Sequence, residues 1–233
     1  MGREERNGGA RGRLPCGRPH VGRLRRGALH AAQAASAPAR RGSARRRPPL
    51  ARGRVILTET ALPGVYIVDV EPHPDERGFF ARVWDGEALA AEGLDARVSQ
   101  SSIAFNHKAG TLRGLHFQRP PHAETKLVRC TRGAIYDVVV DIRPDSDTYL
   151  RWLGVELTEE NRRTLYVPEG FAHGYQTLVD ATEVWYQMSV PYAPDSASGL
   201  RWNDPRLAIE WPDPPAGGRV ISAKDEAWPD LSS

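Results

Sequence analysis

The chain has 233 residues, 32 of them basic and 29 acidic, for a formal net charge of +3. That balance conceals two unlike parts. Residues 1–54 hold 15 arginines, two glutamates and no lysine, a formal +13, while the remaining 179 residues hold 17 basic and 27 acidic side chains, a formal −10. A nucleic-acid reading built on overall charge is thereby excluded for the bulk of the chain, and no apolar run approaches the roughly 18 residues of a membrane-spanning helix.

Residues 1–54 are dominated by Arg, Gly, Ala and Pro and close on Arg45-Arg46-Arg47-Pro48-Pro49. So few large apolar side chains cannot offset chain entropy, and the segment is expected to be disordered. No Phe, Tyr or Trp interleaves the arginines, so a stacking platform for RNA bases is missing. The apolar core of a secretory signal is missing too; an RNA-binding tail, an organellar transit peptide and a basic membrane-surface patch are the functional readings. The plainest reading is upstream sequence read in frame from a start codon placed too early. Cys16 and Cys130 lie on opposite sides of the composition break and cannot build a disulfide framework, so a reducing compartment is the default.

From Val55 onward the pattern is that of a folded domain. Residues 85–93 predict one short helix, with Asp85 as N-cap and Gly93 just past the end. Residues 112–118 and 126–130 predict short strands. Residues 133–143 alternate, with Tyr136, Val138, Val140 and Ile142 on one face and Asp137, Asp141 and Arg143 on the other. Pro144-Asp145-Ser146-Asp147 is a turn. Strands follow at 152–157 and 165–167, separated by a single helical turn at 158–161. Residues 168–174 predict a tight turn that exposes His173. Residues 183–190 alternate again, placing Val184, Tyr186, Met188 and Val190 opposite Glu183, Trp185, Gln187 and Ser189. Turn signals every 8–12 residues or so predict an all-β sandwich or small barrel. The helical crossovers of a parallel α/β fold are absent.

Several residues carry chemistry. His116, inside a strand, is either a general base or a hydrogen-bonded core histidine. Tyr186, on its strand's inward face, reads as a core tyrosine whose hydroxyl finds a partner. Ser222-Ala223-Lys224-Asp225 alone reads as a solvated charged end. Barrels of this size often hold a metal through His-x-His, but the residue two beyond His116 is Gln118. His107, His116, His122 and His173 are dispersed, so no metal is expected. Cys130 reads as a buried structural thiol, and no glycine-rich phosphate loop is present.

Taken in order, residues 75–80, 112–118, 126–130, 133–143, 168–174, 202–204, 209–212 and 222–225 resemble the dTDP-4-dehydrorhamnose 3,5-epimerase family, the RmlC-type cupins. The resemblance spans essentially all of 55–233. It implies a cupin-type jelly-roll β-barrel, a cytoplasmic homodimer without metal or cofactor, and a nucleotide-sugar substrate, with no membrane or nucleic-acid partner for the folded domain. The implied chemistry is removal of a proton beside a 4-keto group and its return on the opposite face. By resemblance His116 is the base, Asp225 orients its imidazole, Tyr186 is the proton donor and Lys126 lies near the developing enolate oxygen. Arg77, Gln100, Ser102, Arg113, Lys126, His173 and Lys224 match substrate-binding positions, and Tyr192 matches the residue that stacks on thymine. Residues around Arg77 are expected to serve the neighbouring subunit.

Three positions depart from the family pattern. Arg82 stands where Glu is usual, Gln100-Ser101-Ser102 replaces Gln-x-Asn, and Ala197 or Ser198 stands where Glu is expected after Tyr192. All are substrate-contact positions. Inversion at C3 alone, ketoisomerisation of a related deoxysugar, and a non-catalytic sugar-nucleotide binding module are therefore the rival readings. Strict alternation also puts Arg113 and His116 on opposite faces of their strand. A bulge at Gly114 would bring them together.

Overall fold

A computed structural model describes residues 53–231. The expected disorder of the tail falls, apart from Gly53 and Arg54, outside those residues. Two sheets face each other. The first runs in the order β1 (Val55–Glu59), β2 (Tyr66–Val70), β10 (Thr164–Val167), β7 (Lys126–Arg132), β12 (Thr182–Met188) and β5 (Gln100–Asn106). The second runs β13 (Ala197–Gly199), β6 (Thr111–Gln118), β11 (Phe171–Thr177), β8 (Ala134–Asp141) and β9 (Trp152–Thr158), with β14 (Val220–Ile221) parallel to β6. A separate hairpin joins β3 (His73–Asp75) to β4 (Gly78–Phe80). This is the jelly-roll barrel expected from the sequence.

The two helices among the described residues are short. In α1 (Gly86–Ala91) the Asp85 carboxylate accepts from the N–H groups of Glu87 and Ala88, and Gly93 follows with φ +76°. The expected capping residues therefore hold at both ends. The second helix, α2 (Ala223–Glu226), is capped by Ser222.

The core has three layers. Between the sheets, Val128, Cys130, Leu165 and Val184 meet Ile135, Val139, Leu157, Phe171 and Tyr175. Outside the first sheet, Leu89 of α1 joins Val68, Leu127 and Tyr166. Outside the second, Leu200 and Leu207 of the C-terminal segment cover Leu115, Val138, Val140 and Ala172, with Ile209, Trp211 and Leu231 packed alongside.

This outer cover changes the reading of β8. Its apolar face, Tyr136 to Val140, packs under the C-terminal segment, and its polar face is no less enclosed: Asp137 and Asp141 are both fully buried. A strand enclosed on both faces can carry carboxylates only if each is supplied with donors. The expected turn at 168–174 is likewise shorter than predicted. Strand β11 begins at Phe171, and His173 is buried within it rather than exposed.

Asp141 shows how such a carboxylate is accommodated. It accepts from the Arg143 backbone N–H at 3.0 Å and from Arg143 Nε at 2.9 Å. It also accepts from Arg143 Nη2, Ser146 Oγ and Thr148 Oγ1, each at 2.6 Å. Burial opposes ionisation, but these donors together hold the carboxyl far below the usual carboxylate range. Asp141→Asn should lower stability by about 3 kcal/mol in urea unfolding at pH 7. A depressed folded pKa contributes stability above the unfolded value of about 4 and loses it as pH falls. The gap between parent and variant should therefore close progressively below pH 4 or so.

Strands β6 and β11 meet glycine on glycine. A Cβ at Gly114, where φ is +124°, would lie 2.5 Å from Gly174 Cα and 2.9 Å from the His173 carbonyl oxygen. The ladder shifts register at this point, between His173 and Tyr175. Gly114→Ala should cost on the order of 3 kcal/mol or more in denaturant midpoint. Gly217→Ala, with open space around it, should leave the midpoint unchanged.

Candidate active site

The register shift at Gly114 decides what β6 presents to the interior. His116 lies opposite His173 across the ladder, so the two imidazoles share a face. Arg113 reaches the same interior despite its three-residue spacing: its Nε donates to Asn106 Oδ1 at 2.9 Å. The expected irregularity at Gly114 is thus present.

Each histidine has a carboxylate. His116 Nε2 lies 2.6 Å from Asp225 Oδ1. Burial of Asp225 works against its charge, but the His116 ring, the Gly114 N–H and the Ser222 hydroxyl prevail and hold the carboxyl below its ordinary range. An ionised Asp225 accepts, so Nε2 carries the proton and the lone pair sits on Nδ1. The His116 side chain is 41% exposed, open to the interior. His173 Nε2 lies 2.7 Å from Asp137 Oδ1, and both side chains are buried. Burial pushes the Asp137 carboxyl up, against the opposing influence of His173 and Lys126.

Across the barrel the first sheet contributes Tyr186, partly buried against the core. Its ring stands edge-on to His173, with centroids 6.3 Å apart. Its phenol is pushed well above the usual tyrosine range by burial, reinforced by the Tyr175 phenol and by Asp137 and opposed by Arg113. Tyr175 Oη donates to Asn106 Oδ1 at 3.2 Å, the oxygen that also accepts from Arg113. Tyr186, Tyr175, Asn106 and Arg113 thus form one polar chain through the interior.

Lys126 begins β7 in the first sheet, and its Nζ donates to the His116 carbonyl in the second at 3.2 Å. Glu124 lies 3.1 Å from the same ammonium, with both side chains nearly buried. Ser102 is in register with Tyr186, and Gln100 with Met188. The Gln100 amide oxygen accepts from the Tyr192 backbone N–H at 3.0 Å, beneath an exposed Tyr192 ring. Lys224 is exposed, its ammonium 5.8 Å from the Trp228 ring centroid.

Not every expected residue joins this group. Arg77 sits at the tip of the β3–β4 hairpin, exposed and paired with Asp75 at 2.6 Å. Of the departing positions, Arg82 pairs with Asp85 and so steadies the cap of α1. Ala197 and Ser198 lie in β13, against Gln118 and Phe117. Sequence reasoning passed over Glu124, Asp137, Asn106 and Tyr175. Only Asp137 carried a usable signal, a carboxylate in an otherwise apolar strand. Cys130 is buried and its thiol is pushed up to about 12 by that burial, which suits an inert core residue.

Comparison with known proteins places this arrangement. Residues 59–233 match the dTDP-4-dehydrorhamnose 3,5-epimerase family. The dTDP-4-dehydrorhamnose 3,5-epimerase of Methanothermobacter thermautotrophicus is 43% identical over 173 residues, 74% of this chain and 92% of that protein. The crystal structure of the Bacillus anthracis enzyme with TDP and PPi bound superposes with a TM-score of 0.72 at 40% identity, covering 76% of this chain and all of that one. A 3′-monoepimerase from Streptomyces bikiniensis in complex with dTDP-quinovose gives a TM-score of 0.68 at 33% identity, over 73% of this chain and 85% of that one. The chain belongs to the dTDP-4-dehydrorhamnose 3,5-epimerase family.

Proposed function

We propose that the protein inverts C3 and C5 of dTDP-4-dehydro-6-deoxy-D-glucose to give dTDP-4-dehydro-L-rhamnose. The observation that carries this reading is the placement of a carboxylate-oriented imidazole and a protonated phenol on opposite sheets, His116 on β6 and Tyr186 on β12. A sugar ring between the sheets presents one face to each.

The 4-keto group acidifies the neighbouring C–H bonds. His116 Nδ1 takes the proton from carbon, and the C–H electron pair moves into the enolate. Asp225 supports the resulting imidazolium, the role a buried carboxylate plays beside histidine in hydrolases. Tyr186 then gives its phenolic proton to the same carbon from the other side. A phenol with a raised pKa stays protonated at neutral pH, and an enolate carbon is basic enough to take that proton. Solvent restores both residues, so each inversion carries solvent hydrogen into the product. The Lys126 ammonium supplies fixed positive charge for the enolate oxygen. His173, Arg113, Gln100, Ser102 and Lys224 bind the sugar and diphosphate, where the arginine fork matches paired oxygens.

A homodimer fits the exposed surface. Strand β5 ends its sheet, with Ile103 65% exposed on it. Arg129, Trp185 and Ile103 form one cross-strand row on the outer face, and Arg129 Nε and Nη1 are buried there without a hydrogen-bond partner. A second copy seated on this row would cover the apolar edge and supply acceptors. The same contact would let Arg77, unattached to its own site, reach the partner's. A cytoplasmic setting accords with a nucleotide-sugar substrate.

Proton NMR with the authentic nucleotide sugar in heavy water tests the chemistry. Loss of both the C3 and C5 signals is expected. Loss at C3 alone would assign the chain to the monoepimerase reading, and no loss would overturn the enzyme assignment. His116→Ala should lower turnover by about 10²-fold or more. Tyr186→Phe should still exchange the C–H protons while inverting far fewer. For the assembly, the parent should sediment as a dimer and Ile103→Glu as a monomer.

A further inference from the structure

We propose that Gln118 is a positioning residue for the nucleobase end of the pocket, acting through the backbone of Tyr192. The inference rests on the reading of Tyr192 as the residue that stacks on the base. Gln118 stands two residues beyond His116, at the end of β6, and is buried. Its position drew notice in the sequence only because it is not histidine.

Its amide joins two loops. Nε2 donates to the His122 carbonyl at 3.0 Å and to the Pro191 carbonyl at 3.4 Å, and Oε1 accepts from the Ala193 N–H at 2.6 Å. The Tyr192 N–H is itself held by Gln100 at 3.0 Å. Three consecutive backbone groups, those of Pro191, Tyr192 and Ala193, are therefore fixed by two glutamine side chains. Tyr192 is 59% exposed, so little packing fixes its ring, whose position follows from this backbone.

The amide orientation is determined by its partners. An N–H must face Oε1 and two carbonyls must face Nε2. No other side chain of this length offers both. A carboxylate at 118 keeps the acceptor, loses both donors and sets negative charge against two carbonyl oxygens. The loops have further ties, from the Arg119 N–H to the Ser196 carbonyl at 2.8 Å and between His122 Nδ1 and Ser196 Oγ at 3.0 Å. These join the two loops elsewhere and leave the Tyr192 backbone untouched. Loss of the Gln118 amide should thus loosen the aromatic platform while the barrel remains.

The test is a double-mutant cycle on dTDP affinity, measured by calorimetry on the full chain. Gln118→Glu and the uncharged Gln118→Met are compared in the parent and in a Tyr192→Ala background, with thermal unfolding recorded for each. Both Gln118 variants should weaken dTDP binding by about tenfold in the parent, the scale of one or two lost hydrogen bonds. In the Tyr192→Ala background they should weaken it by less than twofold or so, since residues acting through one another are not additive. In turnover, KM should rise by a larger factor than kcat falls. If Tyr192→Ala weakens binding but the Gln118 variants weaken it equally in both backgrounds, the stacking reading stands and the inference is overturned. If Tyr192→Ala binds dTDP as the parent does, the stacking reading falls and the inference falls with it. If Gln118→Glu fails to fold, Gln118→Met decides the same comparison.

Discussion

The close approach of β6 and β11 at Gly114 and Gly174 is the constraint on which the site depends. With no side chain on either glycine, the strands come near enough that a Cβ on one would overlap the backbone of the other. The accompanying register shift turns three-residue spacing into a common direction, so that Arg113 and His116 both look inward. It also directs the Gly114 N–H toward Asp225, at 3.4 Å, and thereby helps hold the carboxylate that orients the base. A regular ladder would have sent one of the two side chains under the C-terminal cover instead.

The second constraint is the number of polar groups the interior must satisfy. Asp137, Asp141, Asp225, His173 and Asn106 are all buried. Each isolated burial would be costly, and the structure answers with pairs and chains rather than single contacts. Asp141 is closed off by five donors and has no capacity left for chemistry. The histidine pairs are different. Each leaves one imidazole nitrogen uncommitted to its carboxylate, which separates a reactive pocket from a merely satisfied one.

The fold was legible because its signals are local. Alternation in β8 and β12, turn residues between strands, and the Asp85 and Gly93 ends of α1 all lie within a few residues of the structure they determine. The burial of β8's polar face was not legible, since that face looks across the interior to Val128, Leu165 and Val184 of the other sheet, and the partner of Asp137, His173, lies far along the chain. The site was less legible still. Asp225 is 109 residues from His116, and on local grounds it read as part of a solvated end. Its pairing with His116 came into view only through the family resemblance. Glu124 lies in the loop just before β7, where no periodicity applies, and Asn106 had no signal because its partners Arg113 and Tyr175 stand on other strands.

The C-terminal segment has two duties, and their conjunction bears on how the protein comes into being. Residues from Leu200 onward form the outer cover of the second sheet, and Asp225 near the segment's end supplies the carboxylate for His116. A nascent chain emerging from the ribosome can pair β6, β11 and β8 before this segment is translated. It can bring the His116 imidazole into a barrel, but it cannot orient that imidazole until α2 has been made and docked. Competence for proton transfer therefore arrives after the strands have been made, and a chain cut short before Asp225 would lack the carboxylate that orients its base.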